Sequence, residues 1–264
     1  MPLKVHPDGT RELEMSLVVP GTPEQVWHAI ATGAGTTAWF TTATIDEREG
    51  GELVLDLGPH GLSRGTVTAF QPPVRFAYEE RDWAEGAPPV ATEITVTGRD
   101  NGTCVVRMVH SLFTSSDAWD DQVEGFEGGW PGFFEVLKLY LRHHAGEPAA
   151  MLIARSTRAM SQRDAWRHLL DTLVLTGATV GERHTITATP EPLDVEVEFV
   201  HQDRSAHYVI ARVFGNAPGI LFIGTHPAAE GTGLGVCRFA YGAEASAHVQ
   251  SVRVRWEEWI ATTA

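Results

Sequence analysis

SDAWDDQVEGFEGGWPGFFEVLKLYLRHHA, residues Ser116–Ala145, places Trp119, Val123, Phe126, Trp130, Phe133, Leu137 and Leu141 at steps of three and four. That spacing predicts one broad apolar stripe on a long helix. At 1.5 Å per residue an unbroken helix here spans roughly 45 Å. Gly128 and Gly129 weaken it, and Pro131 removes an internal hydrogen bond. The expectation is a kink near residues 128–131, or a new helix with Pro131 in its first turn.

Upstream of this segment the sequence is strand-like and needs a helix to cover its apolar face. Thr10–Val19 alternates Leu13, Met15, Leu17 and Val19 with Glu12, Glu14 and Ser16. After Pro20-Gly21, Thr22-Pro23-Glu24-Gln25 reads as a helix cap, a first-turn proline and a capping-box glutamine, with Val26, Trp27 and Ile30 as the packing face. That helix stops near Gly33 and Gly35, and a short helical turn carries Trp39 and Phe40. Strands are predicted at Thr41–Arg48, Gly51–Leu57, Gly61–Gln71, Val74–Arg81, Ala91–Gly98 and Thr103–Ser111, separated by turn sequences such as Asp100-Asn101-Gly102. An antiparallel sheet curling around the long helix buries the apolar faces of both.

The order then restarts. Ala145–Ala150 reads as a linker and Ala150–Arg158 as a strand. Ser161 caps a helix carrying Trp166, Leu169, Leu170 and Leu173. Strands follow at Glu182–Ala188, Leu193–Val200, Ala206–Val213, Gly219–Thr225 and Gly235–Tyr241, and Ser246–Ile260 closes the chain as a helix. Its apolar residues Val249, Val252, Trp256 and Trp259 are fewer, which predicts a thinner core. The fold class expected is α+β: tandem helix-grip domains, each a curved antiparallel sheet wrapped around a long C-terminal helix. The domains expected are 1–146 and a smaller, diverged 150–264. The alternative is one domain with an irregular β-rich extension.

With 264 residues, 43% of them hydrophobic, the chain is long enough for two ordinary domains. No apolar run is long enough to predict a membrane span. The first twenty residues lack the basic-then-apolar order of a signal peptide, and Cys104 and Cys237 form no disulfide framework, so a cytoplasmic location is expected. The formal charge of −14, from 34 acidic and 20 basic residues, argues against a nucleic-acid or anionic-membrane surface.

Pro23-Glu24-Gln25-Val26-Trp27, Trp39-Phe40, Gly50-Gly51, Gly65-Thr66-Val67, Pro72-Pro73, Gly102-Thr103, His110-Ser111 and Gly129-Trp130 occur in an order that resembles the Bet v 1-like helix-grip superfamily, also called START-like or SRPBCC. Within it the first half is most similar to the family of the C-terminal domain of the activator of Hsp90 ATPase homologue (AHSA1-like). The resemblance covers about residues 10–145, roughly half the chain, and departs from the pattern at the tryptophan-rich stretch, kept only at Trp83, and at the insertion Ala84–Pro89. It implies a cavity between sheet and long helix. The superfamily holds lipid and hormone carriers, cyclases and co-chaperones, so the resemblance carries fold and not activity. The second half looks like a diverged copy.

The ligand-binding candidates are Trp39, Phe40, Tyr78, Trp83, His110, Phe126, Trp130 and Phe134; plain core filling is the competing account. Phe113 belongs to the same aromatic inventory. His110 either points inward to meet a ligand or is held as a structural or surface residue. Arg107, three positions earlier, faces the other way on a strand. Glu80 and Asp82, or Glu79 and Arg81, either sit at a pocket mouth or, the first reading, are solvated edge residues. No metal or cofactor is expected: His143 and His144 diverge around a helix, His201 and His207 have no ligand geometry, and there is no HExxH. Cys104 has no base partner and the chain has no GxSxG. Gly231–Gly235 reads as a hairpin turn, not a phosphate loop. The expected function is binding of a small hydrophobic or aromatic molecule, with a cyclase- or hydrolase-like enzyme or a co-chaperone-like interaction module as alternatives. The expected partner is a small hydrophobic ligand; a homodimer or a protein partner stays open.

Overall fold

The computed structural model describes residues 4–7, 9–58, 61–81, 86–113, 120–228 and 230–263, and the side chains of these except 120–128. The chain divides into two compact units, Met1–Gly146 and Glu147–Ala264.

The first unit runs β1 (Lys4–Val5), β2 (Arg11–Pro20), α1 (Pro23–Ala31), α2 (Gly33–Thr37), β3 (Thr42–Ile45), β4 (Glu52–Asp56), β5 (Leu62–Gln71), β6 (Arg75–Arg81), β7 (Val90–Gly98), β8 (Thr103–Leu112) and α3 (Asp120–His143). Its sheet has the order β1-β2-β8-β7-β6-β5-β4-β3. The β2–β8 pairing joins the first long strand to the last, with Leu13 opposite His110 and Met15 opposite Met108. α1 starts as the sequence predicts. Thr22 accepts from the Gln25 N–H, the Gln25 side chain accepts from the Thr22 N–H, and Pro23 opens the helix. Val26, Trp27 and Ile30 are buried, and Trp27 meets Phe70 edge-on at 5.2 Å. α2 is a separate five-residue helix capped by Thr32, and Trp39 and Phe40 follow it rather than sit within it. Gly35 is required there, because a Cβ would fall 1.9 Å from the His28 carbonyl oxygen.

α3 is continuous across Pro131, so the predicted new helix is not formed. Pro131 is exposed. Trp130, Phe134, Leu137, Tyr140 and Leu141 are buried. The N-terminal end of the predicted stripe, Trp119, lies outside the described residues, as do the side chains of Val123 and Phe126.

The second unit runs β9 (Ala149–Arg158), α4 (Gln162–Leu173), β10 (Arg183–Ile186), β11 (Leu193–Gln202), β12 (His207–Phe214), β13 (Gly219–Ala228), β14 (Gly231–Tyr241) and α5 (Ala245–Thr262). Its sheet order is β10-β11-β12-β13-β14-β9, so again the first strand pairs with the last. The two units also share a detail. In the first, a register shift follows Val67, whose N–H and C=O bond the Gly51 C=O and Gly50 N–H. In the second, a shift follows Val197, whose N–H and C=O bond the Glu182 C=O and Gly181 N–H. A bulge bends a strand and increases its twist, which helps each sheet curve toward its helix. Tandem helix-grip architecture is the fold of the described chain.

Two sequence expectations are corrected here. Gly231–Gly235 lies in β14, paired along β13 from Ala228–Gly231 onward. Small residues serve close approach there: a Cβ on Gly233 would meet the His226 ring at 2.3 Å. The core of the second unit is also not thin. Trp256 and Ile260 of α5 are fully buried, with Val249 and Val252 beside them, over Trp166, Leu169, Val195, Val209, Leu221 and Val236. Trp256 alone supplies the volume that the short apolar stripe appeared to lack.

Candidate functional site

Register builds the site from the sheet upward. Val67, Tyr78, Thr92, His110 and Leu13 stand directly opposite one another on β5, β6, β7, β8 and β2. They form one row across the sheet on the face that meets α3. Tyr78, Thr92 and His110 are all buried. The Thr92 hydroxyl lies 2.8 Å from His110 Nδ1 and also hydrogen-bonds the Tyr78 phenol. Two residues on from Tyr78, Glu80 emerges on the same face. The Ser63 hydroxyl of β5 donates to its carboxylate.

Aromatic rings close the space above this floor. Trp130 of α3 stacks on His110 with ring centroids 5.5 Å apart, on Phe40 at 4.8 Å and on Phe134 at 5.5 Å. Phe133 meets Phe40 edge-on at 5.0 Å. Between floor and roof is a cavity of about 220 Å³. Phe40, Trp130 and Phe133 line one side and Tyr78, Glu80, Ser63 and His110 the other. Leu55, Leu57 and Val90 complete an apolar wall, so the lining is overwhelmingly apolar with a few polar atoms on one side.

The polar groups are tuned by burial. Desolvation pulls His110 down from 6.5 to about 4, so its imidazole is neutral at pH 7. Burial pushes the Glu80 carboxyl above the usual range, and the Ser63 hydrogen bond pulls it partly back. Glu80 keeps some open surface, and it lines the cavity. Burial, then the neighbouring Glu80 charge, drive the Tyr78 phenol well above its ordinary value, so it stays protonated.

Of the eight residues singled out from sequence, Phe40, Tyr78, His110 and Trp130 line the cavity. Trp39 and Phe134 stand behind it. The Trp39 Nε1 donates to the Ala29 carbonyl at 2.8 Å, and its ring borders a separate void of only about 20 Å³. Phe134 stacks against both Trp39 and Trp130. Trp83 and the Phe126 side chain lie outside the described residues. Phe113 is exposed. Glu80 is corrected from a solvated edge residue to a cavity residue, whereas Glu79 and Arg81 do pair with each other at 2.5 Å away from the cavity lining. Asp82 lies outside the described residues. Arg107 pairs with Glu14 at 2.8 Å on the outer face, opposite to His110. Ser63 is not marked by the sequence reading, and Phe133 is marked there only as part of the apolar helix stripe. The parity of Tyr78 and Glu80 was the available signal for Glu80; nothing local marks Ser63. Among the described residues no group of three or more His, Cys, Asp or Glu side chains is placed to hold a metal ion.

This geometry agrees with the family comparison. Residues 20–142 match the family described as activator of Hsp90 ATPase homolog 1-like protein. The first unit has the helix-grip fold and matches this AHSA1-like family model. No curated protein matches the chain. Among solved structures, DynU16 from the dynemicin biosynthetic locus is 17% identical, covering 96% of this chain and 95% of its own, with a TM-score of 0.44. The di-domain aromatase/cyclase BexL from the BE-7585A biosynthetic pathway is 10% identical, covering 96% and 98%, with a TM-score of 0.45. The Aha1 dimer from Colwellia psychrerythraea is 18% identical, covering 51% and 98%, with a TM-score of 0.43. In the first unit the cavity sits between the sheet and α3. No helix among the described residues is long and apolar enough to cross a membrane.

Proposed function

We propose that the AHSA1-like domain binds a small hydrophobic or aromatic molecule in the cavity between its sheet and α3. The observation that carries this is the cavity of about 220 Å³, roofed by Phe40, Trp130 and Phe133 and floored by a row of polar side chains. Interiors are close-packed, so an apolar space of this size beside well-packed rings is more than a packing fault. It is smaller than the roughly 300–1,000 Å³ of sites for drug-sized ligands, which favours one or two rings. A neutral two-ring hydrocarbon, 1-methylnaphthalene, should raise the melting temperature saturably by mass action. Leu57→Trp, which puts an indole at the cavity wall, should remove that response. A protein whose melting temperature ignores the hydrocarbon contradicts the proposal.

Chemistry on a bound aromatic substrate is the alternative, and one observation favours it. His110, Tyr78 and Glu80, three groups able to exchange protons, line the same cavity. The neutral His110 imidazole would act as a base and the protonated Tyr78 phenol as an acid. In that case His110→Phe abolishes turnover of a bound substrate while leaving its binding in place.

A further inference from the structure

Among the described residues that line the cavity, Glu80 is the carboxylic acid. Among the described residues it has one hydrogen-bond donor, the Ser63 hydroxyl, which occupies part of its acceptor capacity. Among the described residues no lysine or arginine lines the cavity. The neighbouring basic residues are engaged elsewhere: Arg81 pairs with Glu79 at 2.5 Å, Arg75 with Glu93 at 2.7 Å, and Arg64, opposite Arg81 on β5, with Glu52 at 2.8 Å. His110, the other nitrogen base in the wall, is held neutral by burial. Among the described residues the carboxylate therefore shares the space with aromatic rings, aliphatic groups, the Ser63 hydroxyl and the neutral His110 imidazole.

A carboxylate flanked by aromatic faces is complementary to an organic cation. The rings of Phe40, Trp130, Phe133 and Tyr78 line the space, and aromatic rings attract a cation through their quadrupoles. An ammonium also donates to the unfilled carboxylate lone pairs by charge-assisted hydrogen bonds. A ligand anion would meet Glu80 with no compensating cation. The formal charge of −14 raises the local concentration of cations around the protein as a whole. We infer that the ligand of this cavity is a lipophilic amine: an apolar or aromatic body of one or two rings carrying a protonated nitrogen, which Glu80 receives. This rests on the cavity being a binding site, as proposed above.

Three probes that share one ring system separate the two ideas: 1-naphthylmethylammonium, neutral 1-methylnaphthalene and anionic 1-naphthoate, titrated by calorimetry at pH 7. The ammonium should bind about 10- to 100-fold more tightly than the hydrocarbon, the range of a charge-assisted contact in a dry site. The naphthoate should bind most weakly. Glu80→Gln keeps the volume and a partner for Ser63; it should remove the advantage of the ammonium and leave the hydrocarbon affinity within about 3-fold. Equal affinities for ammonium and hydrocarbon, or preference for naphthoate, overturn the inference and leave the cavity proposal standing. Binding by none of the three overturns both. The wild-type probe ranking decides the matter even if Glu80→Gln fails to fold.

Discussion

The Thr92 hydroxyl and the His110 imidazole meet at 2.8 Å in the floor of the cavity, directly opposite each other on adjacent strands. Thr92 also reaches Tyr78 on the next strand, so one hydroxyl ties together the two largest polar side chains of the row. Thr92→Val keeps shape and removes the tie. It leaves buried polar atoms without that contact, at about 1–3 kcal/mol. Urea unfolding should show that loss with an unchanged slope.

His110 makes stability depend on acidity with a definite sign. Its folded value is depressed from 6.5 to about 4. The unfolded chain takes up the proton first as pH falls. His110 therefore contributes full stability above pH 6.5, and that contribution is lost between 6.5 and about 4. The span corresponds to about 3 kcal/mol. Proton NMR of the His110 ring should titrate near pH 4. His110→Gln should unfold with a flatter pH dependence over that window.

The fold was legible in the sequence because its signals are local. Thr22 and Gln25 specify their own cap, and alternation in β2 and β8 sets which side chains face inward. The stripe Trp130–Leu141 marks the helix that covers them. What local signals miss is register. Whether Ser63 stands beside Glu80 depends on how β5 and β6 align across a bulge, which no short window encodes. β1 escaped notice because two residues carry no period. Gly231–Gly235 was misread because glycines in a strand look like glycines in a turn until the partner strand is known.

Glu80 should trade stability for binding. Burial raises its carboxyl above the ordinary value. The charged carboxylate therefore carries a cost in the folded form. That cost falls as pH drops through the folded value. Glu80→Gln should melt higher than the natural protein at neutral pH, and the gap should narrow on acidification. A lower melting temperature at pH 7 would show that the carboxylate is better satisfied than its surroundings indicate.

Trp130 holds the roof together by touching Phe40, Phe134 and His110. Trp130→Ala should cost about 3–5 kcal/mol and enlarge the cavity. Binding of a two-ring ligand should weaken even where the variant is folded, because a ring face is gone.

In the second unit, Arg238 is fully buried and Glu191 is its carboxylate partner at 3.3 Å. The same carboxylate accepts from Trp256 Nε1 at 3.2 Å and lies 2.8 Å from His248 Nε2. Arg238 also donates to the Ala217 carbonyl at 2.7 Å. Glu191→Ala strands a buried cation, which costs about 3–5 kcal/mol. Thermal unfolding should show the second unit melting early while the first keeps its own transition.

The central claim is that the space beneath α3 receives a ligand. Titrating isotope-labelled protein with 1-methylnaphthalene and following its two-dimensional NMR spectrum tests this directly. The account predicts saturable shifts concentrated at Phe40, Tyr78, His110 and Trp130, with β9–α5 of the second unit unmoved. Spectra that do not change at saturating hydrocarbon, or shifts centred outside those residues, contradict it.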